Sequence, residues 1–451
     1  MKSFFAITFC VLVLLSVVAW QIKPDPPPGK IPLVWVSDDN PARRQQIALF
    51  NQLHPEYDLR LDPRASTAGI EKVMLQSLAG VGPDLADAFS PSDLDAFVRS
   101  GVAWDITEEL AERGVDLEGE VWPAILPTGI REDRVYGFPA NVAVDAIWIN
   151  KDLFDAAGEP YPEGPWTWDE FLEVAERLNV RDARGRIKQF GFLCDWWQWP
   201  QFIMLFGGHI YSEDGTRCVI DGPEATEAIQ FMRDLMYEHH VMPTPVDEAT
   251  MATQGGWGSG TITYFGAGKG AMALGGRWWL CTLRDYEGLN LGVVEIPHVK
   301  EPRYRAYGRA TVINRYSPRR EEALDFLVYE AGKDYNDLIN RQADAVAAVV
   351  RYNYTPEFLR NPEHPEEDYN EVWRDVVKYG RSDDWSSFVN GQTAMRILNK
   401  QLDLIKSDQK PVPKAMRDAA REVNEEIAKT LEMDPSLRIQ YYRLTGRERP
   451  E

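Results

Sequence analysis

From Ile31 the chain alternates short apolar runs with amphipathic stretches. Ile31 to Val36 is apolar enough to predict a strand buried on both faces. Ser37-Asp38-Asp39-Asn40-Pro41 then reads as a helix cap with proline at the first helical position, and Ile47, Phe50 and Leu53 fall on one face behind it. The pattern recurs. A helix through Val73, Leu75 and Leu78 stops at Gly80, Leu85 to Phe89 predicts a short strand, and Ser90-Pro91-Ser92-Asp93 starts a helix that ends at Gly101. Strands that repeatedly feed helices predict the α/β class, with a mostly parallel sheet covered on both faces. Ligands of such sheets bind beyond the carboxyl ends of the strands, where loops lead into helix starts. Ser37 to Asn40 and Phe89 to Asp93 are two such places.

Gly137-Phe138-Pro139-Ala140-Asn141, followed by the alternating stretch Val142 to Ile149, predicts an extended segment long enough to leave one lobe and enter another. Helix signals follow at Asn150 to Ala157, with Gly158 behind, and at Thr167-Trp168-Asp169-Glu170, a capping box ahead of Phe171, Leu172, Ala175 and Leu178. Another helix starts at Asp221-Gly222-Pro223 and carries Ile229, Met232 and Met236 on one face. Ala271 to Leu274, Leu291 to Ile296 and Ala310 to Asn314 read as strands, and Ser317-Pro318 as the cap of a helix through Ala323, Leu324 and Leu327. Beyond Asp334 the pattern is mainly helical.

A length of 451 residues suits two substantial lobes, and 44% hydrophobic with 26% charged residues excludes disorder or a polytopic membrane protein for the bulk of the chain. Acidic residues outnumber basic ones 70 to 49, for a net charge of -21, so the molecule repels phosphate backbones and nucleic acid is excluded as a partner. Met1-Lys2 precedes an apolar run from Phe4 to Trp20, the pattern of a secretory signal over residues 1–19. An uncleaved inner-membrane anchor is the alternative, with residues 20–30 as a proline-rich linker. Either way the product is periplasmic or otherwise extracytoplasmic. Cys10 sits too early in the run for lipid modification at a cleavage site, and Cys194 and Cys218 read equally as one disulfide or as two buried thiols. Gly266-Ala267-Gly268-Lys269-Gly270 has the wrong spacing for a phosphate loop, and the adjacent His239-His240 cannot share a helical face as metal ligands.

The 15 Trp suggest flat apolar surfaces for a ligand with faces and hydroxyls, or for a cation. In Cys194-Asp195-Trp196-Trp197-Gln198-Trp199-Pro200, three Trp within four residues cannot all enter one core, so at least one faces a cleft or solvent.

Four stretches together resemble a known family. They are Gly82-Pro83-Asp84-Leu85 with Gly101-Val102 and Asp105-Ile106; Tyr136-Gly137-Phe138-Pro139 through Ile149-Asn150-Lys151-Asp152-Leu153-Phe154; Phe265 to Met272 with Gly276-Arg277-Trp278; and Leu291-Gly292-Val293 to Pro297 with Ser317 to Phe326. Their order resembles the large extracellular solute-binding proteins of ABC importers, the group containing maltose-binding proteins, from about Ile31 to about Leu431. The resemblance implies a periplasmic-binding-protein-like Venus-flytrap of two discontinuous α/β lobes and a hinge. Residues 31–140 and 277–323 would form lobe I, 141–276 and 324–431 lobe II, and 432–451 a tail. It also implies a monomer without catalysis or cofactor, binding a carbohydrate and handing it to permease subunits in the membrane.

A sugar needs carboxylates or amides at its hydroxyl edges and aromatic planes beneath its rings. By the resemblance Ser37, Asp38 and Asp39 occupy sugar-binding positions, and Phe89, Ser90 and Asp93 sit at the second strand end. Helix capping is the rival role for these polar residues. Asn141 at the crossover joins the set. Asp195, Trp196 and Trp197 are placed in the site with Trp199 in the core; Trp278 is read as a stacking plate beside a packing Trp279. Trp257, in a glycine-rich stretch, and Trp385 with Phe388 complete the aromatic candidates. Arg277 would bind an anionic sugar such as a uronate, or simply pair with an acid. Two other readings stay open: a Trp cage for a quaternary amine such as betaine, and an exported enzyme acting on polysaccharide.

Overall fold

The computed structural model describes residues 27–62, 69–251, 260–299 and 301–447, together with Thr8, Phe9 and Val11. Most of the expected signal at 1–19, most of the 20–30 linker and Trp257 lie outside the described residues. Among the described residues no helix is long and apolar enough to cross a membrane.

In chain order the strands are β1 (Ile31–Val36), β2 (Tyr57–Leu61), β3 (Leu85–Ala88), β4 (Ile130–Arg131), β5 (Arg134–Val135) and β6 (Gly137–Pro139). The long β7 (Asn141–Asn150) is followed by β8 (Val180–Arg181), β9 (Ile187–Leu193) and β10 (Gly270–Gly276). Then come β11 (Leu291–Val294), β12 (Tyr304–Tyr307), β13 (Ala310–Ile313), β14 (Val346–Ala347) and β15 (Gly380–Arg381). One sheet runs β2-β1-β3-β13-β6 and a second β15-β12-β7-β10-β9-β8, with β11 and β14 also paired to β7.

The sheets are less parallel than the alternating pattern predicts. β2, β1 and β3 are parallel, but β13 is antiparallel to both β3 and β6. In the second sheet β7 is antiparallel to β10, β11, β12 and β14, and the parallel pairs are β9–β10 and β12–β15. The helical returns that enforce parallel pairing occur only where strand and helix truly alternate.

Among the described residues the chain passes between the sheets three times: at Ala140 between β6 and β7, at Gly308-Arg309 between β12 and β13, and at 343–345 between the helix Lys333–Gln342 and β14. The lobe boundaries shift accordingly. β11 and β12, expected in lobe I, pair with β7 in the second sheet. The helix Arg320–Ala331, part of which was expected in lobe II, packs on the first: Phe326 lies 5.1 Å from the Trp35 ring and 5.2 Å edge-on to Phe50. Local periodicity cannot report which sheet a strand joins, so these boundaries are tertiary information.

Local signals behave as capping physics requires. Asn40 accepts from the Ala42 amide at 2.9 Å, Ser90 from Asp93 at 3.1 Å, and Thr167 with Glu170 forms the reciprocal capping box. Gly158 closes its helix at φ 68°, a conformation that favours glycine. Ser317 instead accepts from Arg319 and donates to Asp84 at 2.5 Å, tying its loop to the β3 side; the residue flanking that helix is Arg319, with no side-chain cap. Cys194 and Cys218 are both buried and free.

Most of the tryptophan is structural. Trp35, Trp148, Trp199, Trp279 and Trp373 are fully buried, each removing on the order of 3 kcal/mol worth of apolar surface from water. Trp199 is in the core as expected and donates to Asn399 at 3.2 Å, and Trp279 is packing as expected.

Candidate functional site

A cavity of about 300 Å³ opens where the three crossings meet, and both sheets contribute to its wall. The loop after β1 supplies Asp38 and Asn40, the first helical turn Arg43, and the end of β3 Phe89. The crossings supply Asn141, Gly308, Arg309, Asp344 and Ala345. The second sheet supplies Ala143 from β7, Arg305 and Tyr307 from β12, and Trp197 and Trp278 from the turns after β9 and β10.

The polar side is a buried ion cluster. Arg43 donates through Nε to Ser37 Oγ at 3.1 Å and Asp38 at 3.0 Å, and through Nη1 to Asp344. Asn40 donates to Asp344 at 3.1 Å. Burial pushes the Asp344 carboxyl up, but Arg43, Arg309 and hydrogen bonds from Gln46 and Arg43 more than cancel this, leaving it below its ordinary value. Behind it Arg309 pairs with Glu330 at 2.9 Å and Asp87 at 3.6 Å. Burial lifts Glu330 to about 7 despite that guanidinium.

The crossings are tied together by one amide. Asn141 Oδ1 accepts from the Arg309 N–H at 3.0 Å, and Asn141 Nδ2 donates to the Asp344 carbonyl at 3.3 Å. Ala343 and Ala345, flanking Asp344, hold φ of 62° and 67°, left-handed values that cost a non-glycine residue about 1 kcal/mol each.

The apolar side is a set of crossed rings. Trp278 Nε1 donates to Tyr307 Oη at 3.0 Å, and Tyr307 in turn donates to Asp145 at 2.8 Å. Trp197 stands edge-on to Tyr307 at 6.1 Å. The Arg305 guanidinium lies 5.0 Å from the Tyr307 ring and 5.8 Å from Trp197, held by Asp383 at 2.6 and 2.8 Å. Phe89 and Trp197 keep 40% and 45% of their surface exposed, large apolar areas turned to the cavity from opposite sheets. Asp145 is wholly buried, and burial raises its carboxyl to about 6, with Tyr307 and Arg305 opposing.

Of the residues expected from sequence, Asp38, Phe89, Asn141, Trp197 and Trp278 line this cavity. The others are engaged elsewhere. Ser37 is fully buried and donates to Asp87 at 2.5 Å, while Asp39 is exposed and faces Arg44 at 3.5 Å. Ser90 caps its helix by accepting from the Asp93 amide at 3.1 Å, and the Asp93 carboxylate accepts from the Phe89 amide at 3.1 Å. Asp195 accepts from Thr261 at 2.5 Å, and burial raises its carboxyl while that bond opposes. Trp196 turns into the core, because the short 3-10 turn Trp196–Gln198 splays adjacent rings to opposite sides. Arg277 is 1% exposed and donates to Asn370, Ala345 O and Asn340 O at 2.8–2.9 Å; burial lowers it to about 10. With three acceptors satisfied, it leaves the candidate site. Trp385 stacks under Arg131 at 4.0 Å, and Phe388 packs edge-on to Tyr441 at 5.3 Å.

Sequence reasoning missed Arg43, Arg305, Tyr307, Arg309 and Asp344, and named Asn40 only as the end of the Ser37 to Asn40 loop. A signal existed for some: Tyr304-Arg305-Ala306-Tyr307 puts a guanidinium between aromatics in a strand, and Asp344 is a lone acid in the small apolar run Ala343 to Val350.

The sequence matches the bacterial extracellular solute-binding proteins over residues 37–337, more than half of its length. The chain belongs to that family. The arabinooligosaccharide-binding protein of Halalkalibacterium halodurans is 26% identical over 265 residues, 56% of this chain and 55% of that protein, so the match spans about half of the relative's length. Among solved structures, an ABC substrate-binding protein from Listeria monocytogenes in complex with cycloalternan superimposes with a TM-score of 0.77 at 19% identity, covering 88% of this solute-binding protein and 98% of that chain. The maltose/maltodextrin-binding domain of Bdellovibrio bacteriovorus bound to maltotriose superimposes with a TM-score of 0.71 at 15% identity, covering 88% and 100%. These likenesses establish the periplasmic-binding-protein-like fold, as expected from sequence.

Proposed function

We propose that this solute-binding protein is the extracytoplasmic receptor of an ABC importer and binds a sugar or oligosaccharide in the cavity between its sheets. The observation that carries the reading is the wall itself: the half-exposed rings of Phe89, from the first sheet, and Trp197, from the second, line it together with Trp278 and Tyr307 and with amide, carboxylate and guanidinium edges. Ring faces and hydroxyl edges of a pyranose or furanose call for that pairing. The names of the relatives, which bind arabinooligosaccharide, cycloalternan and maltotriose, favour the same class. The apolar run from Phe4 to Trp20 and the family favour export, and the family favours a permease partner. A quaternary amine fits less well, because the cavity lining carries three guanidiniums, Arg43, Arg305 and Arg309, against two carboxylates, Asp38 and Asp344, and those two are already engaged by Arg43. Hydrolysis fits less well too: Asp38 and Asp344 share Arg43, and Asp344 is held below its ordinary value, unable to donate a proton near neutrality.

The test is thermal unfolding against arabinooligosaccharides, maltotriose, monosaccharides, uronates and betaine. A ligand at about 100 times its Kd adds about 2.7 kcal/mol of stability, an easily read rise in melting temperature. A rise with a carbohydrate and without product formation is expected. A rise with betaine alone, or product without a rise, sinks the proposal.

A further inference from the structure

Trp385, Phe388, Ser90 and Asp93 do not line the cavity, yet the structure brings their segments together. The helix Pro91–Arg99 belongs to the first lobe: its Leu94 and Phe97 share a core with Val36, Ala86 and Val312. The segment 383–387 belongs to the second: Asp383 holds Arg305, Asp384 accepts from the Ile210 amide at 2.8 Å, and Ser386 donates to Gly215 O at 2.5 Å. Between them run contacts that involve no cavity residue. Arg131 lies 4.0 Å over the Trp385 ring and donates to Pro91 O. Arg99 donates to Ser387 O, and Gln392 to Asp93 at 3.3 Å. The helix Gly391–Lys406 begins on a glycine whose missing Cβ would lie 2.6 Å from Ser92 Cβ, closer than real carbons approach.

We propose that this junction is an interlobe latch. The Arg131–Trp385 stack and the close seat of Gly391 on Ser92 hold the lobes in the conformation described, and Arg131, Trp385 and Gly391 are positioning residues that set ligand affinity without touching ligand. Contacts present in one hinge state and absent from another bias the equilibrium between them, whatever occupies the cavity. The inference rests on the two-lobed fold and not on the identity of the guest.

Small-angle scattering of the ligand-free full chain, with thermal unfolding in parallel, tests it. Gly391→Leu places a branched side chain against Ser92 and is expected to change the radius of gyration. Arg131→Ala and Trp385→Leu are expected to shift it in the same direction, and the double variant no further than either single, since both remove one stack. Melting temperatures should stay close to that of the parent. Scattering curves that superimpose on the parent for Gly391→Leu and Arg131→Ala overturn the latch. So does a fall in melting temperature at constant radius, which would make the junction ordinary packing. Failure of every sugar to bind would refute the carbohydrate reading and leave the scattering result to stand alone.

Discussion

Asp145 offers a sharp test of the chemistry behind the aromatic wall. It is wholly buried on β7, its Oδ1 accepts from Tyr307, and Arg305, Asp195 and Asp383 face it. Burial raises its carboxyl from 3.8 to about 6. That is roughly two pH units, and at about 1.36 kcal/mol per unit the buried charge costs about 3 kcal/mol once ionised. A carboxyl raised on folding contributes stability fully below its unfolded value, near pH 4, and loses it as pH rises through about 6. Asp145→Asn keeps the carbonyl that accepts from Tyr307 and removes the titration. Urea unfolding of parent and variant, at half-unit steps from pH 4 to pH 8, gives the difference in stability at each pH. The parent should lose about 2 kcal/mol relative to the variant between pH 4 and pH 7, since the unfolded carboxyl is already more than half ionised at pH 4. Taking the difference cancels any fixed cost of the new amide and any titration shared by both proteins. A flat difference would mean that Arg305 fully compensates the buried charge, and a difference that grows in the parent's favour with pH would reverse the argument.

Trp197→Ala should leave ligand-free stability nearly unchanged, because the ring is 45% exposed, and should weaken sugar binding about tenfold by calorimetry. Trp199→Ala should do the opposite, costing about 3–5 kcal/mol in chemical denaturation through the cavity it leaves. Arg277→Met strands the three acceptors around it and should cost about 3 kcal/mol, with binding unchanged in whatever remains folded. Asp39→Ala, at the solvent edge beside Arg44, should alter neither melting temperature nor affinity beyond about 0.5 kcal/mol.

The legible part of this protein was what short-range physics writes. Asn40, Ser90 and Thr167 cap helices where a side-chain oxygen precedes an apolar face, and the crossover at Gly137 to Asn141 lies where an extended run interrupts that pattern. Asp38, Phe89, Asn141, Trp197 and Trp278 reach the cavity because strand ends and turn aromatics in such folds face it. Less legible was anything decided by contacts between distant segments. Arg43 and Asp344 are 301 residues apart, and their meeting turns two ordinary surface residue types into the buried floor of the site. Arg277 was misplaced for the same reason: the acceptors that absorb it, Asn370, Ala345 O and Asn340 O, come from elements with no local signature near it. The Trp196–Trp197 pair shows the finer limit, since neighbouring rings diverge and only the turn geometry decides which one sees solvent.

The register of β7 has an engineering consequence. Its first four residues receive every passage between the sheets: Asn141 directly follows the first, Ala143 and Val144 pair with β12 before the second, and Asn141 and Val142 pair with β14 after the third. The covalent connections between the halves of the molecule therefore converge on residues 141–144. A reporter domain spliced into the exposed turn at 182–185 should ride along passively, whereas a single-residue insertion within 141–144 would shift the pairing partners of two strands at once and decouple the halves.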